Sequence, residues 1–178
     1  MNLKKLIFSL TVIICLASSA TTSAQEQSTG QYLGFGYNLS ASLDKTKNNQ
    51  TVFGLVYENR FAKNLGIETG FYSRNFYYSL YKNRYLEVPV LLKFYSDAIN
   101  ISAGVSGGLF AGSKSYYGNV DITDNYKYSL SAIVKAGHDF YLSESLIIEP
   151  EIVAIPFAIH TDNKQVMAGL GVKIKYFF

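Results

Sequence analysis

The sequence predicts an all-β protein, folded as an eight-stranded antiparallel up-and-down barrel that crosses a membrane. Two observations lead to this fold class: eight segments repeat a two-residue period, and the connectors between them mostly alternate in length. Because side chains alternate across a β-strand, each segment has one apolar face and one polar or small face. A helical period of 3.6 residues is nearly absent, so we expect no amphipathic helices.

The alternating segments are long enough for membrane strands, which need about 9–11 tilted residues to cross a bilayer. In chain order they are Gln31–Ala41, Gln50–Phe61, Asn64–Asn75, Arg84–Tyr95, Ile99–Phe110, Tyr126–Tyr141, Leu146–Ala158 and Lys164–Phe178. The seventh alternates least well, because Val153, Ile155 and Phe157 fall on its polar face. Pro150 and Pro156 predict a bulge or an irregular ladder in the same segment.

The connectors favour a membrane barrel over a soluble one. The long connectors are Ser42–Asn49, Phe76–Asn83 and Ala111–Asn125. The short connectors are Ala62–Lys63, Ser96–Ala98 and Leu142–Ser145, while His160–Asn163 is a brief fourth loop on the long side. Membrane barrels have short periplasmic turns and longer external loops, so we expect both termini in the periplasm and the long set outside. A soluble lipocalin-like barrel, the competing interpretation, has no reason to sort its loops in this way.

Aromatic residues cluster where segments meet connectors, which predicts two girdles at the membrane interfaces. The girdle at the short-turn end would contain Phe61, Phe94, Tyr95, Phe140, Tyr141, Tyr176 and Phe178. The girdle near the long loops would contain Tyr77, Tyr78, Tyr81, Tyr85, Tyr116, Tyr117, Tyr126 and Tyr128. The alternative is that a tyrosine-rich β protein places aromatic residues everywhere.

The polar face of the segments carries five acids and five bases, together with many glycine and serine residues. The charged residues are Glu68, Arg74, Glu87, Lys93, Lys135, Asp139, Glu149, Glu151, Lys173 and Lys175. Small side chains and balanced charges suit the crowded lumen of an eight-stranded barrel. Because unpaired buried charges are costly, we predict an internal ion-pair network and no open pore. Lys173 and Lys175 should find partners in Glu149 and Glu151 on the preceding strand.

Residues 1–24 form a predicted secretory signal peptide, and residues 25–178 form the predicted barrel domain. Lys4 and Lys5 precede an apolar run and then small residues up to Ala24, where we place cleavage; a cut after Ala20 is the alternative. The apolar run is shorter than the roughly 20 residues that a membrane anchor needs. Cleavage would remove Cys15, the only cysteine, and leave no thiol or disulfide chemistry.

No constellation of residues points to catalysis, a cofactor or a metal site. His138 and His160 lack nearby cysteine or metal-spaced carboxylates. The glutamate pair of the seventh segment could serve acid–base chemistry, but the lysines of the same face favour ion pairing. A lipid-modifying enzyme, with His160 beside Ser113 or Ser115, is a remote alternative that no spacing supports. Without the signal peptide, sixteen basic residues become fourteen against thirteen acids, so the charge gives no argument for nucleic acid.

The stretch Tyr85–Tyr95 resembles the outer-membrane β-barrel domain of the Bacteroidetes porin family, in its PorT-like group, and Gly66–Tyr72 is similar to that family's third strand. The final strand, which ends with Tyr176 and Phe178, resembles the last strand of bacterial outer-membrane barrels. This resemblance implies an outer-membrane protein in contact with lipid, with a C-terminal signal that the barrel-assembly machinery reads.

These observations favour a non-enzymatic outer-membrane protein with a filled lumen and a structural or surface-interaction role. The outer loops are rich in tyrosine, serine, glycine and asparagine, which suits protein or glycan ligands as well as simple solvation. A narrow conduit for small solutes is the second interpretation.

Overall fold

Long strands with alternating side chains build the fold. The computed structural model describes residues 29–43, 49–97, 99–116, 127–159 and 164–178. Within them the strands are β1 Gly30–Ser42, β2 Asn49–Ala62, β3 Leu65–Tyr77, β4 Tyr81–Tyr95, β5 Asn100–Ser115, β6 Tyr128–Gly137, β7 Phe140–Tyr141, β8 Leu146–Ile159 and β9 Lys164–Phe177. In this described part of the chain, no helix is long and apolar enough to cross a membrane. The predicted signal peptide lies outside the described residues and stays a prediction.

The sheet closes on itself. Strands β1 to β5 each pair antiparallel with the next, β9 pairs with both β8 and β1, and β8 pairs with both β6 and β7. Gly137 at the end of β6 opposes Glu151, and Phe140 in β7 opposes Ile148. The same number of residues separates these pairs on both strands, so β6 and β7 form one barrel strand with an interrupted ladder. The predicted closed eight-stranded up-and-down barrel is therefore confirmed.

Prolines lie where the ladders are interrupted. Pro150 lies opposite the break between β6 and β7, where a residue without an N–H group removes no ladder hydrogen bond. Pro89 lies where the β3–β4 ladder skips residues 70–71, and its carbonyl accepts a hydrogen bond from the Thr69 hydroxyl at 2.7 Å. The predicted irregularity at Pro156 is confirmed, because β8 shifts register there against β9 and β6.

The two ends of the barrel carry different connectors. One end of the barrel, which we call the terminal end, holds the start of β1, the end of β9 and the turns 63–64, 96–99 and 142–145. The opposite end, which we call the loop end, holds the connectors 43–48, 78–80, 116–127 and 160–163. The expected long connector Phe76–Asn83 is wrong, since β3 and β4 stay paired as far as Tyr77 and Lys82. Tyr78 N–H donates to the Tyr81 carbonyl at 2.9 Å and closes a tight turn. Buried side chains at both ends of the expected loop hold these strand extensions in place.

Strand β5 also continues past its expected end at Phe110, as far as Ser115. Its register against β4 shifts between Arg84 and Tyr85. Gly112 at this bulge has a φ of 146°, in the region that favours glycine. Beyond the bulge the two faces of β5 are exchanged, so its even-numbered side chains share the outward face of the barrel.

Large apolar side chains cover the outward face, as expected of a surface in contact with lipid. At mid-height, Phe35, Leu55, Phe71, Val90 and Ile174 are 45–69% exposed. At the terminal end Phe61, Phe94, Tyr176 and Phe178 are exposed, and at the loop end Tyr116 and Tyr128 are exposed. Phe140, Tyr141, Tyr77, Tyr78 and Tyr81 are half-buried, and Tyr117 and Tyr126 lie outside the described residues. The expected girdles therefore form only in part.

Two predicted girdle residues point into the barrel instead. Tyr95 is 4% exposed and reaches a buried carboxylate, and Tyr85 is fully buried. Both occupy inward positions of β4, so the strand period decides their direction over the preference of aromatic rings for the interface.

An apolar layer fills the lumen toward the loop end. Its buried members are Phe76, Tyr85, Leu91, Ile133, Val153, Ile155 and Met167, and a smaller cluster contains Val52, Val56 and Tyr72. Val153 and Ile155, which weakened the alternation of the seventh segment, are 1% exposed within this layer. The lumen therefore has a layer of apolar side chains toward the loop end and a charged half at the terminal end.

Candidate functional site: the charged lumen

All ten charged residues of the predicted polar face point into the barrel. Each is at most 9% exposed, and Glu68 and Lys175 are fully buried. Nine of them lie on the five strands β3, β4, β6, β8 and β9, and Asp139 lies between β6 and β7, because successive strands each present alternate side chains inward.

Two further charges, Glu58 and Arg60 on β2, lie inside the barrel and were absent from the predicted set. Glu58 is 0% and Arg60 is 2% exposed. They could have been found, because they share the inward parity of Val56 on the same strand. One acid and one base are added together, so the balance between interior charges is kept.

The terminal half of the lumen holds one connected set of ion pairs, which we call the terminal cluster. It consists of Glu58, Glu68, Lys93, Lys135, Asp139, Glu149, Glu151, Lys173 and Lys175. Its centre is Glu149 Oε2, which lies 2.8 Å from Lys93 Nζ, 2.9 Å from Lys175 Nζ and 3.2 Å from Lys173 Nζ. Glu149 stands directly opposite Lys173 in the β8–β9 ladder.

Two layers extend from this centre. Toward the loop end, Lys173 lies 2.6 Å from Glu68 and 2.8 Å from Glu151, and Lys135 lies 2.7 Å from Glu68. Toward the terminal end, Lys175 lies 2.9 Å from Asp139 Oδ1. Each lysine of the terminal cluster lies within ion-pair distance of two or more carboxylates, so the desolvation cost of each lysine is offset by more than one partner.

Tyr95 and Arg60 complete the terminal end of the lumen. The Tyr95 hydroxyl donates to Glu58 Oε1 at 2.8 Å, and the Arg60 guanidinium lies 4.1 Å from the centre of the Tyr95 ring. Arg60 Nε also donates to the Lys63 carbonyl at 3.0 Å. Arg60 is thus stabilised by a ring and a carbonyl, while its charge offsets the excess acid of the terminal cluster.

The hydrogen bond from Tyr95 predicts a measurable loss of stability on its removal. We expect Tyr95→Phe to lower the free energy of unfolding by roughly 1.5–3 kcal/mol, since the bond is buried and its acceptor is charged. Urea unfolding of the refolded barrel in lipid vesicles would measure this loss. Tyr128→Phe, at a tyrosine that is 70% exposed, is the matched control and should change little. Equal effects of the two variants would contradict the prediction.

A separate ion pair lies nearer the loop end. Arg74 Nε donates to Glu87 Oε2 at 2.7 Å, and Glu87 also accepts hydrogen bonds from Ser106 at 3.0 Å and Ser129 at 2.7 Å. Arg74 in turn donates to Gln50 Oε1 at 3.0 Å. A cavity of about 20 Å³ lies between this pair and Lys135, with room for about one water molecule.

Among the residues that the structure describes, the geometry adds no catalytic constellation. No group of three or more metal-ligating side chains occurs among the described residues. Glu149 and Glu151 both contact lysines, so neither is placed as a free acid or base. His138 packs against the Phe140 ring at 4.6 Å between centroids. His160 lies outside the described residues, so the lipid-modifying alternative that places it beside Ser113 or Ser115 stays a prediction.

Tyr176 and Phe178 close the chain on the outside of the barrel. They are 55% and 62% exposed, and Phe178 N–H donates to the Gln31 carbonyl at 3.2 Å. The aromatic rings therefore lie beside β1 at the terminal end. Their role as an assembly signal stays a prediction.

Comparison with known proteins identifies the fold. No protein-family model and no curated protein matches the chain. The crystal structure of the outer-membrane protein OprG from Pseudomonas aeruginosa is similar, with a TM-score of 0.52 and 15% identity over 84% of this chain and 94% of that chain. The outer-membrane protein AlkL, solved by solid-state NMR in DMPC bilayers, gives a TM-score of 0.56 and 13% identity over 89% and 94%.

The N-terminal β-barrel domain of Pseudomonas aeruginosa OprF is a third match, with a TM-score of 0.50 and 11% identity over 84% of this chain and 100% of that chain. At such identities the likeness concerns the fold. Together with the apolar outward face, it shows that the chain is a closed eight-stranded β-barrel of the outer-membrane type.

Proposed function

We propose that this chain is a non-enzymatic integral outer-membrane protein whose lumen is closed, and that it acts as a structural or surface-interaction protein and not as a channel. The observation that carries the proposal is the terminal cluster, which spans the lumen from β3 to β6 and β9 and from β4 to β8. Its side chains are almost inaccessible to solvent.

Two successive layers support closure of the lumen. The terminal cluster occupies one half, and the apolar layer around Tyr85, Leu91 and Ile133 lies in the other, together with the ion pair of Arg74 and Glu87. An ion entering the apolar layer would lose most of its hydration, and an ion entering the terminal cluster would have to displace a paired side chain. A cavity beside Arg74, Glu87 and Lys135 has room for about one water molecule.

The sequence resemblance supports placing the chain in the PorT-like group of the Bacteroidetes porin family. With that assignment the loop end faces outward, and any protein or glycan ligand would meet the outer loops. Most of connectors 43–48, 116–127 and 160–163 lies outside the described residues. The proposal therefore rests on the closed lumen and the lipid-facing surface.

The expected result in a planar lipid bilayer is the absence of a stable single-channel current. The protein must be shown to be inserted in the same preparation, by its heat-dependent mobility on a gel. A steady open conductance from inserted, folded protein would overturn the closed-lumen proposal and favour the narrow conduit. Brief and rare current steps in an otherwise silent bilayer would agree with a lumen that opens only when the terminal cluster rearranges.

A further inference from the structure

Three cations gather on the outward face of β4 and β5 at the loop end. Lys82 stands directly opposite Lys114 in the ladder, and Arg84 stands opposite Gly112. Arg84 and Lys114 are exposed and Lys82 is half-buried. Opposed residues of a ladder have their Cβ atoms about 5 Å apart and on the same side of the sheet. The three side chains therefore share one patch, which we call the cationic rim.

No carboxylate balances this patch within the described residues. Residues 49–57, 69–86 and 88–96 contain no acid, and neither do residues 99–116. Glu87 points into the lumen and pairs with Arg74. Like charges opposite each other in a ladder repel, and a bound anion would relieve the repulsion between Lys82 and Lys114.

The position of the cationic rim matches the edge of a bilayer. On the same outward face, Leu86 and Leu109 are 40% and 60% exposed and belong to the apolar surface. Arg84 lies two residues before Leu86, which is roughly 7 Å nearer the loop end along the strand. Lipid headgroups lie at the border between the apolar surface and water, and long cationic side chains extend toward them.

A tyrosine and a threonine lie beside the cationic rim. Tyr77 lies opposite Lys82, whose ammonium is 5.1 Å from the centre of the Tyr77 ring. The Tyr77 hydroxyl lies 3.4 Å from Thr51 Oγ1. A Cβ at Gly112 would meet no atom within 4 Å, so the space between Arg84 and Lys114 is open.

We propose that the cationic rim binds the phosphate group of an anionic lipid in the leaflet at the loop end. Three cations of one sign at headgroup height, with no acid beside them in the described chain, are the complement of a phosphorylated headgroup. This inference rests on the proposed function, since it requires a barrel inserted in a membrane.

The test is native mass spectrometry of the folded barrel in detergent with added bisphosphorylated lipid A. We expect lipid A to bind, and its dephosphorylated form to bind at least about tenfold more weakly. Because each cation near an anionic surface contributes about fivefold in affinity, Arg84→Gln should weaken binding about fivefold. The triple variant Lys82→Gln/Arg84→Gln/Lys114→Gln should weaken it about a hundredfold. Lys63→Gln, an exposed lysine at the terminal end, is the matched control and should bind as the unmodified protein does.

Equal binding of the two lipid forms, or equal binding by the triple variant, would overturn the lipid site. Displacement of lipid A by millimolar inorganic phosphate would also overturn it, because the site would then recognise free phosphate. Heat-dependent gel mobility of the same samples separates the two proposals. A folded barrel without lipid selectivity contradicts only the lipid site, whereas a protein that never forms a heat-modifiable barrel contradicts the proposed function as well.

Discussion

Replacement of Glu149 by glutamine is expected to destabilise the barrel by about 3–5 kcal/mol, because it leaves buried lysines without their shared carboxylate. Glu149 Oε2 lies within 3.2 Å of Lys93, Lys173 and Lys175. Glu58, Glu68, Glu151 and Asp139 can satisfy part of that charge, but none replaces the central position. The measurement is urea unfolding of the barrel in lipid vesicles, or the midpoint of its heat-dependent gel mobility.

Two controls separate the ion pairs from a general effect of substitution. Glu144→Gln removes the same charge from an exposed turn and should leave stability nearly unchanged. Glu149→Gln combined with Lys173→Met removes one acid and the base opposite it, and should recover a large part of the loss. A Glu149→Gln barrel as stable as the Glu144→Gln barrel would show that the terminal cluster does not stabilise the fold.

The second large effect is expected at the seam where the first strand meets the last. Gly34 on β1 stands opposite Lys175 on β9, and a Cβ added to it would lie 2.0 Å from the Ile174 carbonyl oxygen. Since that atom belongs to the backbone, Gly34→Ala must move the β1–β9 ladder itself. Overpacking of this kind costs about 1–3 kcal/mol, and more where backbone has to shift. We therefore expect a loss of about 3 kcal/mol and a smaller yield of folded barrel.

Gly107→Ala provides the matched control for this substitution. A Cβ at Gly107 meets no atom within 4 Å, so alanine should be neutral or stabilise the protein by about 0.4–1 kcal/mol through the unfolded chain. The measurements are refolding yield and urea unfolding of both variants. Similar results for the two variants would indicate that strand closure tolerates a side chain at Gly34.

The predictable part of this structure follows from the period of the strands. Alternation located every barrel strand and placed Glu68, Glu149 and Lys173 on the inward face, because an inward position recurs at every second residue. The same rule applies to Glu58 and Arg60, which continue the inward alternation of Val56 toward the end of β2. Pairing partners were predictable only for adjacent strands.

The remaining features depend on contacts that no local pattern contains. The turn at residues 78–80 is short because Phe76 packs edge-on against Tyr85 inside the barrel and keeps β3 and β4 paired. The apolar layer forms because Val153 and Ile155 meet Met167 from the neighbouring strand. Residues with the composition of a loop were therefore folded into strands by tertiary packing.

The last strand has a kinetic consequence for barrel completion. Lys173 and Lys175 join carboxylates that lie 105 and 117 residues earlier in the chain. Until β9 arrives, the five acids of the terminal cluster face only Lys93 and Lys135 as cations from within the cluster. Such distant contacts form late, since chain closure must precede them. A chain that stalls before its final strand would thus carry an excess of unpaired carboxylates on its inner face, so that arrival of β9 neutralises the lumen in the same step that closes the sheet.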